Sequence, residues 1–227
     1  MKLGVLFSGG KDSTYALYKV MEKEKILCLI SMISENPESY MFHTPNILLT
    51  KLQAKAISLP LLQWKTKGVK EEELSDLESA IDYAKKNFKI EGIVTGAIAS
   101  NYQKERIEKI CKKLNLLCLN PLWHESQEKI LYEILQKKFR VIITGIFAYP
   151  LNEKWLGKEI NKEMISELVV LQKRYKINPA GEGGEIETFV LDAPFFKKEI
   201  LILDSEIKAK ENSGVFLIKK AKLIDKK

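Results

Sequence analysis

Short apolar runs alternate with stretches of helical period through the first 120 residues, and the alternation changes character after that. Runs at 3–7, 26–32, 60–64, 92–95 and 116–120 are too short for helices and predict strands. Between them, 11–22 sets Thr14, Leu17, Tyr18 and Met21 on one face, and 71–88 repeats Leu74, Leu77, Ile81, Ala84 and Phe88. Helices are also predicted at 47–59 and 103–114, the latter with Ile107, Ile110, Cys111 and Leu114 in a stripe. Strand–helix alternation of this kind predicts an α/β fold, a doubly wound parallel five-stranded sheet with right-handed crossovers. Ligands of such sheets lie beyond the carboxyl ends of the strands, at a topological switch point, so the loop after the first strand is the first place to look.

Beyond residue 122 the pattern gives helices at 127–138 and 162–173 and strands at 141–146, 187–191, 199–207 and 214–222. Consecutive strands without helices between them predict antiparallel pairing in a smaller α+β unit. The expected division is 1–123 for a nucleotide-binding domain and 124–227 for a substrate-binding domain.

Composition changes this picture little. Apolar residues make up 45% of 227, ample for a core. No apolar run reaches bilayer length, and the run after Lys2 reads as strand and turn rather than leader, so the expected location is cytoplasmic. The net charge is +7, but only Arg106, Arg140 and Arg174 are arginines among 37 basic residues, and the lysines alternate with Glu along helices. That is a solvated surface rather than a nucleic-acid face. Cys28, Cys111 and Cys118 have no metal or redox spacing and read as small core residues.

Ser8-Gly9-Gly10-Lys11-Asp12-Ser13 joins the first strand to the first helix. Glycines let backbone approach an anion closely, helix-start N–H groups bind its oxygens, and Lys11 and the serines add donors. A plain capped turn needs one glycine and one cap, not this set. The segment is not a Walker loop, since Lys11 comes one residue late after Gly4 and Gly9, and 181–186 lacks the third glycine of a dinucleotide fingerprint.

The SGGKDS loop resembles the pyrophosphate loop of the PP-loop ATP pyrophosphatases. Four further segments narrow the resemblance: Ser34 to Asn46, Thr95 to Ser100 with Tyr102, Gln103 and Arg106, Pro121 to Trp123, and Gly181 to Thr188 followed by Leu191 to Pro194. In this order they are similar to the archaeal-type diphthine–ammonia ligases over nearly the whole chain. Family members usually carry an aromatic residue where this chain has Ile186, and residues 143–149 look idiosyncratic.

The resemblance implies an AMP-forming amide ligase. ATP would adenylate the carboxylate of diphthine, a modified histidine of translation elongation factor 2, and ammonium would displace AMP. Mg2+ on the phosphates is expected. Ser8, Gly9, Gly10, Lys11, Asp12 and Ser13 would hold phosphates, with Gly96 and Ser100 flanking the nucleotide. Lys11, Asp12, Arg106, Glu185 and Glu187 are the expected catalytic set. His43, Asn46, Tyr102, Glu182, Glu185 and Glu187 are the expected substrate contacts, the acids suiting a cation. Tyr102, Trp123 and Trp155 are candidate faces for the substrate's trimethylammonium. A homodimer is left open, and no membrane or nucleic-acid partner is expected. Two other readings stay in view: a PP-loop enzyme modifying a tRNA base, and a non-catalytic adenine-nucleotide sensor.

Overall fold

The computed structural model describes residues 1–36, 45–69 and 72–226. Five strands, β1 (Lys2–Leu6), β2 (Lys25–Ser34), β3 (Leu61–Thr66), β4 (Gly92–Val94) and β5 (Leu117–Leu119), form one sheet. They lie in the order β3-β2-β1-β4-β5, and every pairing is parallel. The crossovers are α1 (Lys11–Met21), α2 (Thr50–Ile57), α3 (Glu72–Phe88) and α4 (Asn101–Lys113). The order reverses direction at β1, so the loops leaving β1 and β4 diverge and open a crevice between them.

A linking segment leads to α5 (Gln127–Gln136), β6 (Arg140–Ile146), α6 (Lys162–Tyr175) and three more strands, β7 (Ile186–Asp192), β8 (Lys198–Lys210) and β9 (Ser213–Asp225). The second sheet runs β7-β6-β9-β8 and is antiparallel throughout.

The two sheets share a core. One buried cluster joins Leu3, Val5 and Leu17 of the first unit to Ile130, Val141 and Val190 of the second. The other face of the parallel sheet buries Ile30, Leu77, Ile81, Ile93 and Ile107 separately. Cys28 and Cys111 are buried, as their apolar context predicts, and Cys118 is half-buried. Backbone joins the units as well. Val190 N–H donates to the Gly9 carbonyl (3.0 Å), and the buried Gln53 amide donates to both the Gly9 and the Val190 carbonyls (2.8 Å each). The loop after β1 is thereby fixed against β7 before any ligand arrives.

Two boundaries differ from the sequence reading for local reasons. α4 starts at Asn101 rather than 103 because the Ser100 hydroxyl caps it, accepting from Gln103 N–H (3.4 Å). The stretch from 47 opens as a 3-10 turn, Ile47–Leu49, because Asn46 stands in the left-handed region (φ 67°). No helix among the described residues is long and apolar enough to cross a membrane.

Candidate active site

A cavity of about 590 Å³ lies where the crevice between β1 and β4 meets the loop before β7. Ser8, Gly10, Lys11, Asp12 and Ser13 line it from one side. Gly96 and Ser100 line it from the loop after β4, and Glu182 and Glu187 from the second unit.

The first wall follows from local sequence. β1 ends, Gly9 turns the chain at φ +78°, and α1 begins at Lys11. A side chain at Gly9 would also meet the Gln53 amide oxygen at 2.2 Å. Gly9 therefore shapes the turn, and its backbone serves the contact with β7 rather than the cavity. Gly10, the residue before α1, has no side chain to cap it, and the first turn of the helix, with the positive end of its dipole, lines the cavity. Ser8 Oγ and Ser13 Oγ meet at 3.2 Å, and Gly10 N–H donates to Ser8 Oγ (3.4 Å).

Lys11 is almost fully buried. Its ammonium donates to Asp12 Oδ2 (2.8 Å) and to the Ala180 carbonyl, and its N–H donates to Thr188 Oγ1 (3.0 Å). Burial raises the Asp12 carboxyl above its ordinary range, against the pull of Lys11. Asp12 Oδ1 is buried and unpartnered among the described residues.

Gly96 brings the two loops together. A Cβ there would stand 2.8 Å from both the Asp12 carbonyl carbon and the Ser13 nitrogen, so only glycine lets the loop after β4 lie against the first turn of α1.

The three acids of the glycine loop have three different surroundings. Glu182 Oε1 accepts from three successive backbone N–H groups of the other unit: Ile98 (3.1 Å), Ala99 (2.7 Å) and Ser100 (2.8 Å). These donors close the loop between β4 and α4, ending at the N-cap residue Ser100, and a carboxylate suits them beside the positive end of the helix. Glu185 turns into its own loop, accepting from Asn178 N–H (3.0 Å), the Asn178 amide (2.8 Å) and Gly183 N–H (2.9 Å). It does not line the cavity. Glu187 does. Burial pushes its carboxyl up to about 7; Lys11 opposes the shift and Asp12 adds to it.

Other expected contacts fall elsewhere. The Asn46 side chain grips β9, donating to the Phe216 carbonyl (2.9 Å) and accepting from Ile218 N–H (2.8 Å); it is a strut, not a cavity residue. Arg106 and Tyr102 also lie off the cavity lining, with the guanidinium 3.4 Å from the Tyr102 ring centre. That ring face is thus covered, as is Trp123 by the Lys104 ammonium at 4.5 Å, while Trp155 is buried in the core. His43 lies outside the described residues.

The sequence reading missed the cavity's far end, where Ile30, Met32, Leu77 and Ile107 make an apolar floor. Met32 ends the predicted second strand beside the first, a position from which that floor could have been anticipated. It also missed Gln127, whose side chain ties the glycine loop through Ala180 N–H (3.0 Å) and the Asn178 amide oxygen (3.1 Å). Nothing in its local sequence marks that role.

Residues 1–117 match the family model for the diphthamide synthase N-terminal domain, and residues 126–224 match the one for the C-terminal domain. The diphthine–ammonia ligase of Bos taurus is 36% identical over 91% of this chain and 85% of its own length. The Homo sapiens ligase of the same name is 35% identical over the same shares. The Schizosaccharomyces pombe ligase is 34% identical over 96% of this chain, which spans only 39% of that longer protein. With both halves matched in order, and relatives of one name aligned along nearly the whole length, the chain belongs to the diphthamide synthase family.

Proposed function

We propose that this chain amidates the carboxylate of diphthine on translation elongation factor 2, using ATP and ammonium and releasing AMP and pyrophosphate. The observation that carries the reading is the cavity itself, with a helix start and its lysine on one wall and a carboxylate of raised pKa on the other. Residues 1–123 would hold the nucleotide, and residues 124–227 would supply the substrate side.

In this reading the phosphates lie along Ser8, Gly10 and Ser13 and over the start of α1, where backbone N–H groups and the helix dipole favour anions. The adenine ring lies on the apolar floor around Met32, Leu77 and Ile107. Magnesium bound to the phosphates would be held by Asp12, which offers a buried, unpartnered oxygen at the cavity wall. When bound, the ion would neutralise phosphate charge.

A carboxylate does not react with ammonia at neutral pH because it has no adequate leaving group. Attack of a substrate carboxylate oxygen on the α-phosphorus expels pyrophosphate and gives an acyl-adenylate. Ammonium releases a proton to solvent, the resulting ammonia attacks the acyl carbon, and AMP departs. Glu187, poised near 7, accepts the proton that the nitrogen sheds. Lys11 and the α1 dipole stabilise negative charge on the departing groups.

The test is AMP formation from ATP by the full chain with diphthine-bearing elongation factor 2, with and without ammonium, and with tRNA in place of the factor. Amide formation dependent on both factor and ammonium is expected. AMP release that depends on tRNA and ignores the factor would overturn the proposal.

A further inference from the structure

Among the described residues the antiparallel sheet ends on β8, a 13-residue strand paired only with β9. The first part of β8 turns Ile200 and Ile202 inward, against Leu49 and Leu52. From Leu203 to Lys210 every residue is exposed, and Ile207 keeps 48% of its surface accessible. Register shifts occur on both sides of Asp204, but from Ser205 to Lys210 the pairing with β9 runs without a break. A long, regular, partly apolar edge is a template for another strand, and proteins usually blunt it with charged side chains, lysines above all.

This edge carries both signs in order. Asp204, Glu206, Lys208 and Lys210 share one face by the two-residue alternation of a strand, and Ser205, Ile207 and Ala209 share the other. We propose that the strand pairs antiparallel with β8 of a second copy of this chain, with the two-fold axis at Ile207. In that register Glu206 faces Lys208 and Asp204 faces Lys210, each twice by symmetry. On the other face Ile207 meets Ile207, and Ser205 meets Ala209. Opposite charges across strands stabilise the pair, and like charges oppose it.

Neighbouring registers are poorer in charge, each keeping two of the four opposite-charge contacts and adding one like-charge contact. Moving the axis to Glu206 sets two glutamates against each other, and moving it to Lys208 sets two lysines together. A half-step places the charged row against the Ile207 row. Within one copy Glu206 already meets Lys219 at 2.7 Å, so it would lie between two lysines and hold both. The joined sheet would have eight strands, and the pairing is independent of the cavity, whose lining includes no β8 residue.

Sedimentation of the full-length protein tests the proposal. The wild type is expected to be a dimer at tens of micromolar. Lys208→Glu/Lys210→Glu and Asp204→Lys/Glu206→Lys should each sediment as monomers with unchanged circular dichroism, and mixing the two should restore the dimer. Ile207→Cys should give a disulfide-linked dimer on mild oxidation, which the wild type, carrying only its three native cysteines, should not. A monomeric wild type, charge-reversed variants that stay dimeric, a mixture that stays monomeric, or an Ile207→Cys chain that does not cross-link would each overturn the pairing.

Discussion

Two glycine-bearing loops face each other across the cavity, and they are organised on opposite principles. The loop from Ser8 to Ser13 works mainly through backbone. Its turn and helix start are built from one short stretch of chain, and the second unit holds them through backbone, from Val190 N–H to the Gly9 carbonyl, and through Thr188 on the Lys11 N–H. The loop from Gly181 to Thr188 works through side chains, and each of its acids finds a different environment. One bridges to the other unit, one folds back on its own loop, and one stays in the cavity. Residue type alone says little about such acids; the backbone donors within reach decide whether a carboxylate is structural or remains available for chemistry.

Breaking the side-chain loop at Glu187 should have the largest effect. Glu187→Gln is expected to slow amidation by about 10²–10⁴-fold, the usual worth of a general base, while ATP affinity holds. Wild-type kcat should rise with pH and level off above about 7, where the carboxylate is ionised, and the variant should lack that limb. Stability carries the opposite sign. A carboxyl whose folded pKa lies above its ordinary 4.5 binds protons more tightly when folded, so it costs stability as pH climbs from about 4.5 to about 7. In thermal melts without ligand, Glu187→Gln should therefore gain on the wild type between pH 5 and 8. A gap that does not widen with pH would remove the buried-carboxylate account.

The backbone-built wall is best broken where it has no room. Gly96→Ala puts a methyl group 2.8 Å from two main-chain atoms at the start of α1, and neither can move without shifting the helix. Overpacking of this kind costs about 1–3 kcal/mol. The displaced helix start should weaken ATP binding roughly tenfold or more, since 1.4 kcal/mol is a factor of ten. Calorimetric ATP titration is the measure, and unchanged affinity would mean that α1's first turn does not hold the phosphates.

Glu182→Ala comes next. It leaves three N–H groups of the loop leading into α4 without their acceptor, and hydrogen bonds to a charged group are worth about 1.5–3 kcal/mol. Hydrogen exchange at Ala99 and Ser100 should accelerate, and the loop from Gly181 should lose protection with it. Glu182→Gln, which keeps an acceptor oxygen, should recover part of the loss. Because the residue holds the loop that the proposed function puts on the substrate side, the activity defect should fall on KM more than on kcat.

The contrast between the loops also explains what the sequence could reveal. Strand, glycine turn and helix start at 6–13 lie within one stretch of chain, so the cradle is legible from spacing. The parallel sheet is legible too, because five apolar runs separated by helical stripes leave few alternatives. Glu182 is different: its donors stand 82 to 84 residues upstream, and nothing local to Glu182 points to them. Asn46 misleads for the same reason. A polar residue in a long loop suggests a ligand contact, yet its partners on β9 are 170 and 172 residues away. Aromatic candidates mislead because a sequence does not show which faces are covered, and the Tyr102 ring already carries Arg106.

Glu185→Gln should have the smallest effect and tests the contrast most sharply. Spacing alone groups Glu185 with Glu187 as a cation-binding acid. In the structure its two oxygens are engaged by Asn178 and Gly183, and the residue does not line the cavity. Glutamine keeps one acceptor oxygen for Asn178 and replaces the other with an amide that cannot accept from Gly183. The expected cost is one charge-assisted bond at a partly exposed site, about 1 kcal/mol of stability after solvent screening. Amidation should stay within about twofold of wild type at saturating substrate. A defect as deep as that of Glu187→Gln would mean that Glu185 leaves its loop partners when substrate arrives, and that the two acids act as a pair rather than as one structural residue and one chemical one.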